Sequence, residues 1–113
     1  MTSKIKIIYN VGIIKIRGTL TGDDETEIVR EIVGDLIKKG INKIVLDLSR
    51  VKWMDSCGLG MLMACFSSAQ NANGKIGLAK VPDKIMEIMS ITKVHTLFEH
   101  FDSVREAVKA YRS

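Results

Sequence analysis

The run NKIVLDLSRV, residues 42–51, constrains the fold of this chain more than any other stretch. Apolar residues occupy successive positions in it, at Ile44, Val45 and Leu46, with Leu48 close behind. A strand with one face in water alternates apolar and polar residues, whereas a continuous apolar run is typical of a strand covered on both faces. The run therefore predicts the central strand of a sheet with helices packed against it.

The rest of the chain alternates between strand-like and helix-like patterns. Residues 4–18 predict a hairpin with turn residues Asn10 and Gly12. Short strands are predicted at 76–81 and, as an edge strand, within 96–101. Four segments carry apolar residues at helical spacing, with predicted core positions Ile28, Ile32, Val33, Leu36 and Ile37; Leu59, Leu62, Met63 and Phe66; Ile85, Ile88 and Met89; and Val104, Val108 and Tyr111.

Signals for helix ends support this division. Thr21, Asp23 and Asp24 are candidate caps of the first helix, which "KKG" at 38–40 closes. Pro82 suits the first position of the third helix, and Asp102 or Ser103 is a cap for the fourth. We expect one α/β domain over residues 1–113, with a core at 4–111 and a mixed, mostly parallel sheet of four to five strands with about four helices.

Composition excludes several classes of function. The chain has 113 residues, the length of one domain, and a modest formal net charge of +4. Its lysines are scattered and its aromatic residues few, so the pattern of a nucleic-acid-binding protein is missing. No apolar stretch approaches the ~20 residues that span a membrane, and the N-terminus has no signal-peptide core. We therefore expect a cytoplasmic protein that binds no nucleic acid.

The cysteines and histidines do not predict a disulfide or a metal site. Cys57 and Cys65, if they share a helix, lie about 12 Å apart at about 1.5 Å per residue. A disulfide requires Cα atoms within about 7 Å, so this model excludes a bridge. His95 and His100 form no zinc-ligand spacing, and we expect them at a surface or edge. No cofactor is expected.

The junction "WMDSCGLGMLM", residues 53–63, carries the candidate functional site. Asp55, Ser56 and Cys57 lie between the central strand and the next helix, and binding sites of open α/β sheets lie outside the carboxyl ends of strands. A helix N-terminus presents unpaired N–H groups that suit a phosphate. Gly58 and Gly60 allow another backbone to approach closely.

The stretch "IVLDLSRVKWMDSCGLGMLM" resembles the signature of the STAS-domain anti-sigma factor antagonists. In that family an apolar strand is followed by Asp-Ser-Ser/Ala-Gly-Leu-Gly and an apolar helix. The resemblance extends over roughly residues 4–111 and includes "IIKIRGTL", "NGKIGLAKV" and "LFEHFDSVREAV", in the family's order.

The resemblance implies a regulator of transcription rather than an enzyme. Such a domain binds an anti-sigma factor that is also a serine kinase, and thereby frees a sigma factor. Phosphorylation of a serine at the helix N-terminus ends the binding, and a phosphatase reverses it. We expect a monomer or weak homodimer whose partner-binding residues are Thr21, Gly22, Asp23, Asp24, Asp55, Ser56, Cys57, Gly58, Leu59, Gly60 and Met61.

The chain departs from the family pattern at three positions. The usual phosphoacceptor directly precedes Gly-Leu-Gly, where this chain has Cys57; Ser56 lies one residue earlier. Either Ser56 is the displaced acceptor, or phosphate does not switch this protein. Thr21 replaces an acid common in relatives, with Asp23 and Asp24 as substitutes. Lys93 stands where relatives often have glycine.

Alternative interpretations of single residues remain open. Cys57 is either a small packing residue at the first or second helical position, which we favour, or a reactive thiol activated by the helix N-terminus. Ser56 is a second candidate for the cap, beside Asp55. Trp53 is expected to pack beneath the loop rather than stack a ligand, with its edge as a possible part of the surface, and Met61 is expected at the surface.

Two further functional hypotheses follow. One is a STAS scaffold or transporter-associated subunit that docks without phosphorylation. The other, ranked lower, is a redox sensor that uses Cys57.

Overall fold

The computed structural model describes residues 3–22 and 24–112, except for the side chains of Asp24 and Glu25. Among the described residues, five strands and four helices follow one another with a short 3₁₀ helix. They are β1 (Ser3–Ile8), β2 (Val11–Leu20), α1 (Asp24–Lys38), β3 (Lys43–Met54), α2 (Ser56–Asn71), β4 (Lys75–Ala79), α3 (Asp83–Ile91), the 3₁₀ helix Val94–Leu97, β5 (Glu99–Phe101) and α4 (Val104–Tyr111).

The strands form one mixed sheet in the order β1-β2-β3-β4-β5. β1 and β2 pair antiparallel, and every other neighbouring pair is parallel. The predicted α/β class and mostly parallel sheet are thereby confirmed.

β3 is the central strand, as the continuous apolar run predicted. Side chains of Ile44, Leu46 and Leu48 are fully buried on the face covered by α1, α2 and α3. Val45 is fully buried on the opposite face, beneath α4. The sheet therefore separates two cores, and β3 contributes to both.

The hairpin turn lies one step earlier than predicted. Tyr9 and Asn10 form it with φ of 50° and 66°, the left-handed values that a two-residue turn of this kind requires. Gly12 is not a turn residue, since it pairs with Ile7 inside the ladder. A Cβ on Gly12 would lie 2.9 Å from Leu36 Cδ1, so this glycine makes room for α1 instead.

The end of α1 confirms the predicted glycine stop. Gly40 has φ of +87°, and N–H groups of Gly40 and Ile41 donate to the carbonyls of Ile37 and Leu36 at 2.9 Å each, a Schellman motif. The predicted burial of Ile28 is wrong, because it is 44% exposed. The buried face of α1 runs through Val29, Val33 and Leu36, and Ile28 is rotated about 100° from Val29.

The later helices begin within one residue of the predicted positions. Pro82 is the cap of α3 rather than its first residue. Ser103, one of two candidates, caps α4 by accepting a hydrogen bond from the Glu106 N–H at 3.1 Å. Val108 and Tyr111 are buried, which confirms the predicted inner face of α4.

Candidate functional site

The candidate site lies where β2 and β3 end and α2 begins. The Asp55 N–H donates to the Leu20 carbonyl at 3.2 Å, which holds the two strand ends together. Asp55 Oδ1 accepts from the N–H groups of Cys57 at 2.9 Å and Gly58 at 3.4 Å. Asp55 is therefore the cap of α2, and the alternative that Ser56 caps the helix is wrong. Ser56 and Cys57 are the first two helical residues.

Gly58 allows α2 to start directly against the strand ends. A Cβ at this position would lie 2.6 Å from the Leu20 carbonyl oxygen and 3.1 Å from Met54 Cβ. Gly58 is buried, and this close packing accounts for a glycine at the position.

The loop after β2 touches the start of α2 at Cys57. Gly22 has φ of +87°, and a Cβ there would lie 2.7 Å from Cys57 Sγ. The Gly22 N–H donates to Thr26 Oγ1 at 3.2 Å, which ties the loop to the buried Thr26 of α1. Thr21, Gly22 and Cys57 are exposed, so the loop and helix start form one continuous surface.

Helix α2 continues this surface along its solvent side. Exposed residues at helical spacing form what we term the α2 outer face, which comprises Ser56, Gly60, Met63 and Ser67. A Cβ on Gly60 would meet no atom within 4 Å among the described residues. Met63 is 48% exposed and is the large apolar side chain of this face.

The predicted orientation of two methionines is wrong. Met61, expected at the surface, is 5% exposed, and Met63, expected in the core, is at the surface. The buried side of α2 is centred on Gly58, Met61, Leu62 and Cys65 rather than on Leu59, Leu62 and Phe66. Leu59 and Phe66 lie at its margin, packed against the core.

The predicted partner-binding residues divide by exposure. Those at the surface are Thr21, Gly22, Ser56, Cys57 and Gly60. Asp55 and Leu59 are half-buried, whereas Gly58 and Met61 are buried and offer no side-chain surface. Asp23 lies outside the described residues, and Asp24 begins α1 with its side chain also outside the description.

The two thiols lie in opposite environments. Cys57 is exposed and Cys65 buried, and both are free, as predicted. The Cys65 thiol lies 3.7 Å from Met61 Sδ. Burial raises the pKa of Cys65 to about 12, with a smaller opposing effect from Arg30.

The described residues contain no cluster of three or more histidine, cysteine or acidic side chains able to hold a metal ion. In the same part of the chain, every helix is too short or too polar to cross a membrane.

Trp53 and Lys84 lie together at the surface, and the sequence pattern did not indicate this pairing. Trp53 was expected beneath the loop, but it is 44% exposed, and Lys84 Nζ lies 5.3 Å from its ring centroid. The continuous apolar run of β3 stops at Leu48, and Lys52 next to Trp53 is exposed. That change of pattern was the available signal that the end of β3 is partly open.

Comparison with known proteins supports this assignment of elements. The STAS domain model matches residues 2–107. A Thermotoga maritima protein, provisionally named an anti-sigma factor antagonist, is 26% identical over 107 residues, which is 95% of each chain. A crystal structure of a Thermotoga maritima protein provisionally named an anti-sigma factor antagonist has a TM-score of 0.88 at 27% identity, with 98% of this chain and 95% of that chain covered.

More distant structures share the fold alone. Unphosphorylated SpoIIAA, an anti-sigma factor antagonist, has a TM-score of 0.76 at 18% identity over 99% of each chain. Phosphorylated SpoIIAA from Bacillus has a TM-score of 0.77 at 17% identity, with 98% of this chain and 100% of that chain covered. Since the family model spans nearly the whole chain and the fold agrees, the protein belongs to the STAS domain family.

Proposed function

We propose that this protein is an anti-sigma factor antagonist, a binding protein that captures an anti-sigma factor and so frees a sigma factor. Its contact surface comprises Thr21, Gly22, Cys57 and the α2 outer face. The observation that carries the proposal is the packing of Gly22 against Cys57, which joins the loop to the helix start. The name of the Thermotoga maritima relative supports the same role. We expect the protein to act in the cytoplasm, where sigma factors bind RNA polymerase.

Gly60 supports the location of the contact surface. A glycine inside a helix costs about 1 kcal/mol relative to alanine, and no neighbouring atom requires it here. Because Gly60 lies on the α2 outer face one turn after Ser56, we propose that a partner's backbone approaches closely at this glycine. Gly34 of α1 is equally open but belongs to another helix, which makes it a matched control.

Ser56 is the proposed phosphoacceptor of a displaced switch. Its side chain is exposed at the first position of α2. The neighbouring Asp55 carboxylate already accepts the N–H groups of Cys57 and Gly58. A phosphate would add about −1.5 to −2 charges beside that carboxylate. The added repulsion and desolvation would oppose partner binding, so phosphorylation by a kinase-type anti-sigma factor releases the partner and a phosphatase restores binding.

The role is tested with the purified anti-sigma factor in complex with its sigma factor. Adding this protein should displace the sigma factor and restore transcription from its promoter in vitro. Absence of any complex with the anti-sigma factors encoded in the same genome would contradict the proposed function.

The switch is tested by incubation with the anti-sigma factor and ATP, followed by mass spectrometry of the tryptic peptide 53–75. Phosphate should be found on Ser56 and should be lost in Ser56→Ala. Cys57→Ser restores the usual family acceptor, so it serves as the positive control for kinase activity. Phosphate at position 57 of that variant, with none on the wild-type peptide, would mean that the domain binds without this switch.

A further inference from the structure

The outermost strand β1 offers an unpaired edge. Among the described residues it is hydrogen-bonded on one side only, to β2. In an antiparallel pair, every second residue of an edge strand directs its backbone N–H and C=O away from the sheet. Such an edge is a template on which another strand can pair.

The two faces of β1 differ in chemistry. Ile5 and Ile7 are each 51% exposed and lie on the face that α1 covers, since Ile5 pairs with the core residue Ile14. Lys4 and Lys6 are exposed on the opposite face. A strand added beside β1 would therefore lie next to apolar side chains on one face of the sheet and next to lysines, which we term the basic border, on the other.

The basic border continues into a groove on the face that α4 only partly covers. The groove encloses about 660 Å³ and is lined by four lysines, Lys4, Lys6, Lys15 and Lys80. Within residues 3–22 and 24–112, these lysines form no ion pair. Asp47 is the single acid in the lining; it is 6% exposed and accepts the Ser49 N–H at 3.0 Å. The groove thus presents an excess of positive charge.

This charge disfavours a second copy as the occupant of the edge. Pairing of β1 with β1 of another copy would bring Lys4 and Lys6 against the same lysines on one face. Like charges across a strand pair are destabilising. The lysines thus protect the edge from self-association and leave it open to a strand of opposite charge.

We propose that β1 binds an extended segment of another protein that alternates apolar and acidic residues, added to the sheet as a further strand. Its apolar side chains would pack beside Ile5 and Ile7, and its acidic side chains would lie over Lys4, Lys6 and the groove. β1 pairs with residues 11–16 of β2, and the proposed anti-sigma factor surface begins at Thr21, beyond the end of β2, so the two surfaces share no residue. This surface is therefore independent of the proposed anti-sigma factor surface.

The probe is a short capped peptide that alternates valine with glutamate, titrated into the full chain labelled with ¹⁵N near neutral pH. We expect saturable chemical-shift changes at residues 3–8 and at Lys15, with an affinity that falls as salt is added. The matched peptide with lysine in place of glutamate should not bind.

A second test of the proposal reverses lysine charges on the protein. Lys4→Glu with Lys6→Glu should weaken binding of the glutamate peptide by about tenfold or more. Lys38→Glu with Lys39→Glu makes the same charge change at exposed positions of α1 and the turn after it, and should leave the affinity within about twofold. Equal binding of both peptides, no saturable shift, shifts confined to other elements, or concentration-dependent β1 shifts without peptide would each overturn the proposal.

Discussion

At the scale of single residues, the two glycines of the Gly-Leu-Gly motif have opposite surroundings. Gly58 is enclosed by Leu20 and Met54, and an added Cβ would lie 2.6 Å from a backbone oxygen. Around Gly60 the space is open. In this motif, Gly58 is therefore required for packing, whereas Gly60 leaves the helix surface open. Substitutions at the two positions distinguish these roles.

We expect alanine substitutions at these glycines to change stability in opposite directions. Gly58→Ala forces α2 away from the strand ends and should lower the free energy of unfolding by about 1–3 kcal/mol. Gly60→Ala should raise it by up to about 1 kcal/mol. Urea unfolding of both variants measures the difference, and effects of the same sign would contradict the assigned packing.

The cap of α2 gives a second prediction for single residues. Asp55→Ala removes the acceptor of the Cys57 and Gly58 N–H groups and should cost about 0.5–2 kcal/mol of stability. Ser56→Ala should change stability by less than about 0.5 kcal/mol, because Ser56 is exposed and does not cap the helix. Chemical denaturation compares the two. A larger loss for Ser56→Ala would mean that the cap is misassigned.

Among the helices and strands, the sequence predicts the buried residues best where only one face of the element is apolar or where the apolar run is continuous. In β3, Ile44, Val45, Leu46 and Leu48 are buried as predicted, and in α4 so are Val108 and Tyr111. Val104 is half-buried, and the buried Ala107 was not predicted. α2 is apolar on most sides, so its spacing selects no face, and contacts with α1 and the sheet decide that Met61 is buried and Met63 exposed. The exposed Ile5 and Ile7 belong to an edge strand, whose position in the sheet the pattern alone does not reveal.

The buried face of α2 should make stability depend on alkaline pH. The pKa of Cys65 is raised from 9.0 to about 12 in the folded chain, so above pH 9 the unfolded state loses this proton first. Stability is then unaffected below pH 9 and falls by about 1.4 kcal/mol per pH unit from there towards pH 12.

Urea unfolding at pH 8 and pH 10 measures this dependence. Cys65→Ala is the control, because it removes the thiol while the other alkaline groups, including Tyr111, remain. An identical loss between the two pH values in wild type and variant would show that Cys65 does not cause it.

At the scale of the whole molecule, the sheet divides two cores of unequal size. α1, α2 and α3 cover one face, and of the described helices α4 alone covers the buried part of the other. Tyr111 anchors α4: its hydroxyl donates to Glu99 at 2.8 Å and its ring packs edge-to-face against Phe101. Burial and the bond to Glu99 both raise the pKa of Tyr111. The α/β class and the mixed sheet were predictable because alternating patterns constrain the topology, whereas this unequal coverage was not.

The stability of the core beneath α4 should depend strongly on Tyr111. Tyr111→Ala removes a buried ring and should lower stability by about 3–5 kcal/mol. Tyr111→Phe keeps the ring and loses only the bond to Glu99, for a cost of about 1 kcal/mol. Thermal or urea unfolding ranks the two. Equal losses would mean that the hydrogen bond, rather than the packing of α4, holds this core.

The proposed function requires that the loop at residues 21–22 and the α2 outer face bind the anti-sigma factor. Calorimetric titration of the purified anti-sigma factor into Gly60→Gln and Gly34→Gln tests it most directly, because both variants add the same side chain to an open helical glycine. We expect both variants to fold with similar stability, and Gly60→Gln alone to lose at least about tenfold in affinity. Unchanged affinity in Gly60→Gln, or an equal loss in Gly34→Gln, would contradict the proposed contact surface.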